Sequence, residues 1–177
     1  RLPGDAAWRV RGSVATAVVG RMTGRGIFSV HAEPVWRDRA DFIVNAPLSE
    51  ENRFEQLWVR RVDDDVFEVC CIPFFLFDVA LGDMVQTSPV GDLKYVVSQV
   101  VKSSGRWVFR THFEAGQLVP RDAVAQKLVE LGASLEWSSK SLLAIDVADA
   151  EGAQQVANFL QERTDLGQLI YETGRSA

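Results

Sequence analysis

The residues with the chemistry to act on a substrate are few and scattered. Three adjacent carboxylates, Asp63-Asp64-Asp65, would suit a hard cation, yet calcium loops place their ligands at alternate positions around a turn glycine, and this run lacks that order. It reads as the tip of a hairpin. Asp78 and Asp83 flank an apolar passage and have the makings of a carboxylate pair, but Asp83 follows Gly82 and is explained as a turn residue bonding nearby amides. His112 would be a proton carrier if it had a partner, and none is identifiable, so it reads as a surface or structural histidine.

Cys70 and Cys71 are neighbours, so on a strand they point to opposite faces and are poorly placed for a disulfide. With only His31 and His112 beside them, the ligands for a structural zinc site are too few; the expectation is no metal, no cofactor and two reduced thiols. Gly20, Gly24 and Gly26 suggest a phosphate loop, but no Gly-Lys-Ser/Thr follows and the next segment reads as strand. No Gly-x-Ser-x-Gly elbow or His-Glu-x-x-His helix is present.

The elements that would position these residues divide into three stretches. Residues 1–40 form a basic segment in which Val14–Val19 and Ile27–Val30 suggest a hairpin. Residues 41–104 read as strands with short turns, at 42–45, 56–62, 66–72, 84–87 and 93–101, making a mostly antiparallel sheet or partial barrel. Pro73 bends the chain in the middle of its most apolar window, 67–86.

From residue 105 to 177 the pattern becomes strand, helix, strand, strand, helix, strand. Trp107, Phe109, Thr111 and Phe113 alternate as in a half-buried strand, Pro120 sits near a helix start, and Val124, Leu128 and Leu131 follow at helical spacing. Asp149 caps a second helix whose apolar face is Ala153, Val156, Ala157 and Leu160. This order is that of a ferredoxin-like βαββαβ unit, so the expected fold is α+β: a β-rich part packed on a ferredoxin-like part. The expected core comprises Trp58, Phe67, Val69, Phe74, Phe75, Leu81, Phe109, Val124, Leu128, Ile145, Val156 and Leu160.

Hydrophobic residues make up 47% of the chain and charged ones 24%, an ordinary globular balance, and the longest apolar run, near 72–77, is far short of a membrane span. Behind the net charge of -5, residues 1–40 carry seven Arg against three acids, whereas residues 41–177 carry twelve bases against twenty-one acids. The acidic body argues against a general grip on nucleic acid, which needs clustered Lys and Arg. A cytoplasmic protein without membrane or nucleic-acid partners is expected.

Leu57-Trp58-Val59, Phe67 to Ile72, Pro73-Phe74-Phe75 and Leu81-Gly82-Asp83 together resemble a bacterial family known as a domain of unknown function. In that family a strand ends in a polar residue before Ile/Val-Pro-Phe, and Leu-Gly-Asp leads into the next strand. Cys71 stands where the family often has Asn. The likeness extends more loosely through Gly105-Arg106 and the C-terminal half, about Asp41 to Gly174. Some proteins similar to this one are immunity factors, and the resemblance implies a non-catalytic antitoxin that binds an NAD-hydrolysing toxin and occludes its active site.

In that role the loop Lys102-Ser103-Ser104-Gly105-Arg106 is the expected contact, with two cations, two hydroxyls and a glycine between apolar strands. Reversing the charges of Lys102 and Arg106 is then expected to weaken inhibition and to leave folding intact. Two other classes compete. One is a small-molecule sensor with a ferredoxin-like fold, its ligand near the Leu131-Gly132-Ala133 link, where a helix C-cap is the simpler explanation. The other is an enzyme of a type not recognised from these motifs.

Overall fold

Strand β3 (Arg53–Arg61) shows why the first sheet forms: Glu55, Leu57 and Val59 occupy alternate positions and all three are buried. The computed structural model describes residues 26–113 and 121–174. The strand expected at Val14–Val19, Gly20, Gly24 and the helix-start Pro120 lie outside the described residues. Six strands make this sheet: β1 (Ile27–Val30), β2 (Phe42–Pro47), β3, β4 (Val66–Val69), β5 (Met84–Val90) and β6 (Leu93–Lys102), in the order β1-β3-β2-β6-β5-β4.

One further pairing, β3 with β4, curls the sheet. β4 returns to the C-terminal half of β3, with Val59 opposite Val69, and β6 meets β2 in parallel at Asn45 and Val96. Five strands thereby form a ring around Val44, Leu57, Val59, Phe67, Val69 and Val85. The remaining half-edge of β3, Arg53 to Gln56, is taken by β1 in parallel, so the sheet is mixed. β4 stops at Val69, three residues short of the expected strand end. Cys70 still donates to the Trp58 carbonyl (2.8 Å), but the Ile72 amide is drawn to the Glu136 carboxylate (2.8 Å) of the second sheet.

The second sheet is antiparallel and contains β7 (Trp107–His112), β8 (Ser134–Trp137), β9 (Leu142–Val147) and β10 (Ile170–Thr173) in the order β10-β7-β9-β8. Helices α1 (Arg121–Glu130) and α2 (Ala150–Asp165) seal one face of it, packing Val124, Leu128, Val156 and Leu160 onto Phe109, Leu143 and Ile145. The Asp149 side chain accepts from the Gly152 amide (2.8 Å) at the start of α2. Gly132, at φ +84, closes α1 as its C-cap, with Ala133 donating back to the Leu128 carbonyl (3.0 Å).

The other face of the second sheet meets the segment that follows β4. Ile72, Phe74 and Ala80 pack on Val108 and Ala144. β7 is therefore buried on both faces along Val108 to Thr111, where a half-buried strand was expected. Two expected core residues are not buried: Trp58 is only half-buried against the first core, and Phe75 is 38% exposed, because Pro73 turns the chain so that Phe74 points inward and its neighbour outward. The described part of the basic 1–40 segment is built into the first sheet through β1. The protein is thus α+β, a mixed six-stranded sheet joined to a second sheet and two helices.

Candidate functional site

The densest polar chemistry lies between the two sheets, around His31. Its Nδ1 is 2.7 Å from Oε2 of Glu136 on β8, and its Nε2 is 3.0 Å from Oε1 of Glu55 on β3. The carboxylates have further partners. Glu136 Oε1 accepts from the amides of Val35 (2.9 Å) and Ile72 (2.8 Å), while Glu55 accepts from the amides of Phe74 (2.6 Å) and Phe75 (2.9 Å). The ring stacks on Phe74 with centroids 4.1 Å apart. Side-chain exposure is 0% for His31 and Glu55 and 2% for Glu136.

Burial alone would lower the pKa of His31, but hydrogen bonds to Cys71, Glu136 and Glu55 outweigh it, and the group is pushed up to about 12. At neutral pH it is an imidazolium whose two N–H groups donate to the two carboxylates. Burial pushes the Cys71 thiol up and holds Cys70, also raised by the charge of Glu68, at about 11, so both stay protonated. A cation with both donors committed to buried carboxylates that also accept backbone amides ties structure together and has no lone pair with which to accept a proton.

A second polar cluster supports the 102–106 loop. Asp83, buried, accepts from the Ala80 amide (2.9 Å), as a turn aspartate does, and from the Ser104 amide (2.6 Å). Arg106 grips the fully buried Asp146 of β9, with Nε 2.9 Å and 3.0 Å from its two oxygens. Burial pushes the Asp146 carboxyl up, Arg106 opposes that, and the pairing holds the guanidinium still more firmly protonated. Lys102, the last residue of β6, and Ser103, Ser104 and Gly105 beside these anchors are exposed, and Gly105 takes φ +79.

A family profile described as a domain of unknown function (DUF4265) matches residues 55–171. The chain belongs to this family. The matched span holds Glu55, Asp83, Arg106, Glu136 and Asp146, whereas His31 lies before it. A solved structure of a hypothetical protein from Neisseria gonorrhoeae is similar in fold: TM-score 0.61 at 17% identity, covering 75% of this chain and 94% of that one. No curated protein matches.

Within this DUF4265 chain the other candidates fall apart from one another. Asp63, Asp64 and Asp65 are exposed at the β3–β4 turn, where Asp65 accepts from the Gln86 side chain (2.8 Å). His112 is exposed at the end of β7. Asp78, at φ +61, donates its amide to the Gly174 carbonyl (2.7 Å). Cys70 and Cys71 are free thiols and buried. Among the described residues no three His, Cys, Asp or Glu side chains gather as metal ligands, and no helix is long and apolar enough to cross a membrane.

The clamp itself was missed from the sequence. One signal was available: Glu55 occupies the same alternation as Leu57 and Val59, which puts a carboxylate on the inward face of β3 and demands a buried partner. Glu136 and His31 carry no comparable mark.

Proposed function

We propose that this DUF4265 chain is a non-catalytic immunity protein, one that binds an NAD-hydrolysing toxin and occludes its active site, in the manner of the immunity factor for the tuberculosis necrotizing toxin. The observation that supports this reading is the anchoring of the 102–106 loop. Asp83 holds the Ser104 amide and Asp146 holds Arg106, so Lys102 and Ser103 stand on a fixed base. A preorganised protrusion loses little conformational freedom on entering a cleft. The buried His31 clamp, closed to solvent, fits a protein that acts through its surface.

The β7-α1-β8-β9-α2-β10 unit is, in this proposal, a ferredoxin-like module; its support is the strand order β10-β7-β9-β8 with both helices on one face. The site of action is the cytoplasm, in keeping with two free thiols.

The test is co-expression with the product of the neighbouring gene and assay of NAD hydrolysis. The expected result is a stoichiometric complex with hydrolysis abolished, and at least tenfold weaker binding for Lys102→Glu, about 1.4 kcal/mol. Undiminished hydrolysis beside the folded protein would sink the reading. The rival reading is the small-molecule sensor, for which the Leu131-Gly132-Ala133 link was the expected ligand position. In that case the protein alone should gain thermal stability with a small molecule, in the absence of any partner.

A further inference from the structure

Residues 31–39 leave the His31 clamp and set a row of exposed cations over half-buried aromatic rings on the outside of the first sheet. The Trp36 amide donates to the Cys70 carbonyl (3.1 Å), and a single 3-10 turn at Arg37–Arg39 follows. The Arg39 guanidinium lies 4.2 Å from the centroid of Trp36, and that of Arg37 lies 4.0 Å from the centroid of Trp58. Arg39 and Arg60 both reach Glu68, at 2.9 Å and 2.8 Å.

Strand register extends the row. Arg60 is opposite Glu68, Glu68 opposite Met84 and Met84 opposite Lys102, so Arg60, Glu68 and Lys102 share one face across four strands. The far side of the surface is closed by Arg106, whose guanidinium lies 5.6 Å from the Trp36 ring. A Cβ built at Gly82 would come within 3.3 Å of both Trp36 and Ser104, so the turn and the 102–106 loop form one continuous relief.

Charge decides what this relief fits. Glu68 is shared by two arginines and Asp146 is taken by Arg106; among the described residues no carboxylate pairs with Arg37 or Lys102. Glu33 and Asp38 are the exposed acids of the 31–39 stretch, and with Glu68 they leave the four cations Arg37, Arg39, Arg60 and Lys102 in excess. The surface is thus cationic on a protein of net charge -5. The chain's own residues 1–25 carry five Arg and one acid, which makes them a poor cover for it.

We propose that Trp36, Arg37, Arg39, Arg60 and Lys102 form a docking surface for a carboxylate-bearing segment of a partner protein. Arg and Trp held by packing are the side chains that dominate protein interfaces. Planar guanidinium groups meet carboxylates in a bidentate fashion, and Lys102 supplies a further point charge. Nucleic acid fits less well, because the acidic body repels a polyanion over a longer range than one short acidic segment. This surface is wider than the 102–106 loop and does not depend on the partner being a toxin.

The test uses two fluorescent probes at low ionic strength, a decapeptide of glutamate and a ten-nucleotide oligothymidylate, with anisotropy as the readout. The expected results are saturable binding of the oligoglutamate with a change in tryptophan emission, weaker binding of the oligonucleotide, and loss of oligoglutamate binding in 0.5 M salt, roughly the range in which surface charges are screened. The double variant Arg37→Glu, Lys102→Glu should bind at least tenfold more weakly, and Lys140→Glu, on the β8–β9 turn, should change binding less than twofold. Arg37→Gln, Lys102→Gln gives the same comparison if the charge reversals do not fold. Absent oligoglutamate binding, binding unchanged in the folded double variant, or preference for the oligonucleotide overturns the proposal. Failure to inhibit a toxin while the oligoglutamate still binds would count against the immunity reading alone.

Discussion

His31 and Glu136 stand 105 positions apart in the chain and 2.7 Å apart in space, and their hydrogen bond joins the residues after β1 to the second sheet. Glu55 completes the tie from β3. Removing the cation leaves two buried carboxylates facing each other with only amide donors for support. His31→Ala is therefore expected to cost about 3 to 5 kcal/mol, the usual penalty for breaking a buried pair from one side. Guanidinium denaturation measures it, and a loss under 1 kcal/mol would show that the clamp does not hold the sheets together.

The same pair gives a pH dependence with a defined sign. The folded-state pKa of His31, about 12, lies above the unfolded value of 6.5, so its contribution is fully present below pH 6.5 and is lost as pH rises toward 12. Between pH 7 and 8, below the ordinary thiol value of 9.0 at which Cys70 of the unfolded chain ionises, each unit should remove about 1.4 kcal/mol that His31→Gln does not lose. Parallel stability curves for wild type and His31→Gln across that range would contradict this.

Local patterns carried most of the secondary structure. The alternation along β3, the helical spacing of α1 and α2, the Asp149 cap and the Gly132 stop all depend on neighbours within a few residues, and each is found where the sequence places it. What depends on distant partners was not legible. β1 pairs in parallel with β3, β4 ends early because Glu136 captures the Ile72 amide, and the His31 clamp draws on residues from three separate segments. The 102–106 loop was visible as a loop, but the anchoring of Arg106 on Asp146 was not.

Phe74 and Phe75 are adjacent and should respond very differently to truncation. Phe74 is 2% exposed and stacks on His31, so Phe74→Ala should cost about 3 to 5 kcal/mol, as large-to-small changes in a core do. Phe75, at 38% exposure, should cost about 1 kcal/mol by the area it still buries. Thermal or chemical denaturation of the two variants separates them, and equal losses would place both rings in the core.

Lys102 and Arg106 bracket one loop but play unlike parts, which corrects the expectation that both charges could be reversed without loss of folding. Arg106 neutralises an aspartate with 0% side-chain exposure. Arg106→Glu sets a second carboxylate against Asp146, and the expected cost is about 3 to 5 kcal/mol. Replacing the pair together, Arg106→Leu with Asp146→Leu, should recover most of that loss, since an apolar pair avoids the buried charge. Lys102 is exposed, and Lys102→Glu should leave stability within about 0.5 kcal/mol. The wild type and these three variants compared by urea denaturation at neutral pH give the answer directly: an Arg106→Glu variant as stable as Lys102→Glu would mean that Asp146 is not held by Arg106 in solution, and the loop would lose the fixed base on which its binding role rests.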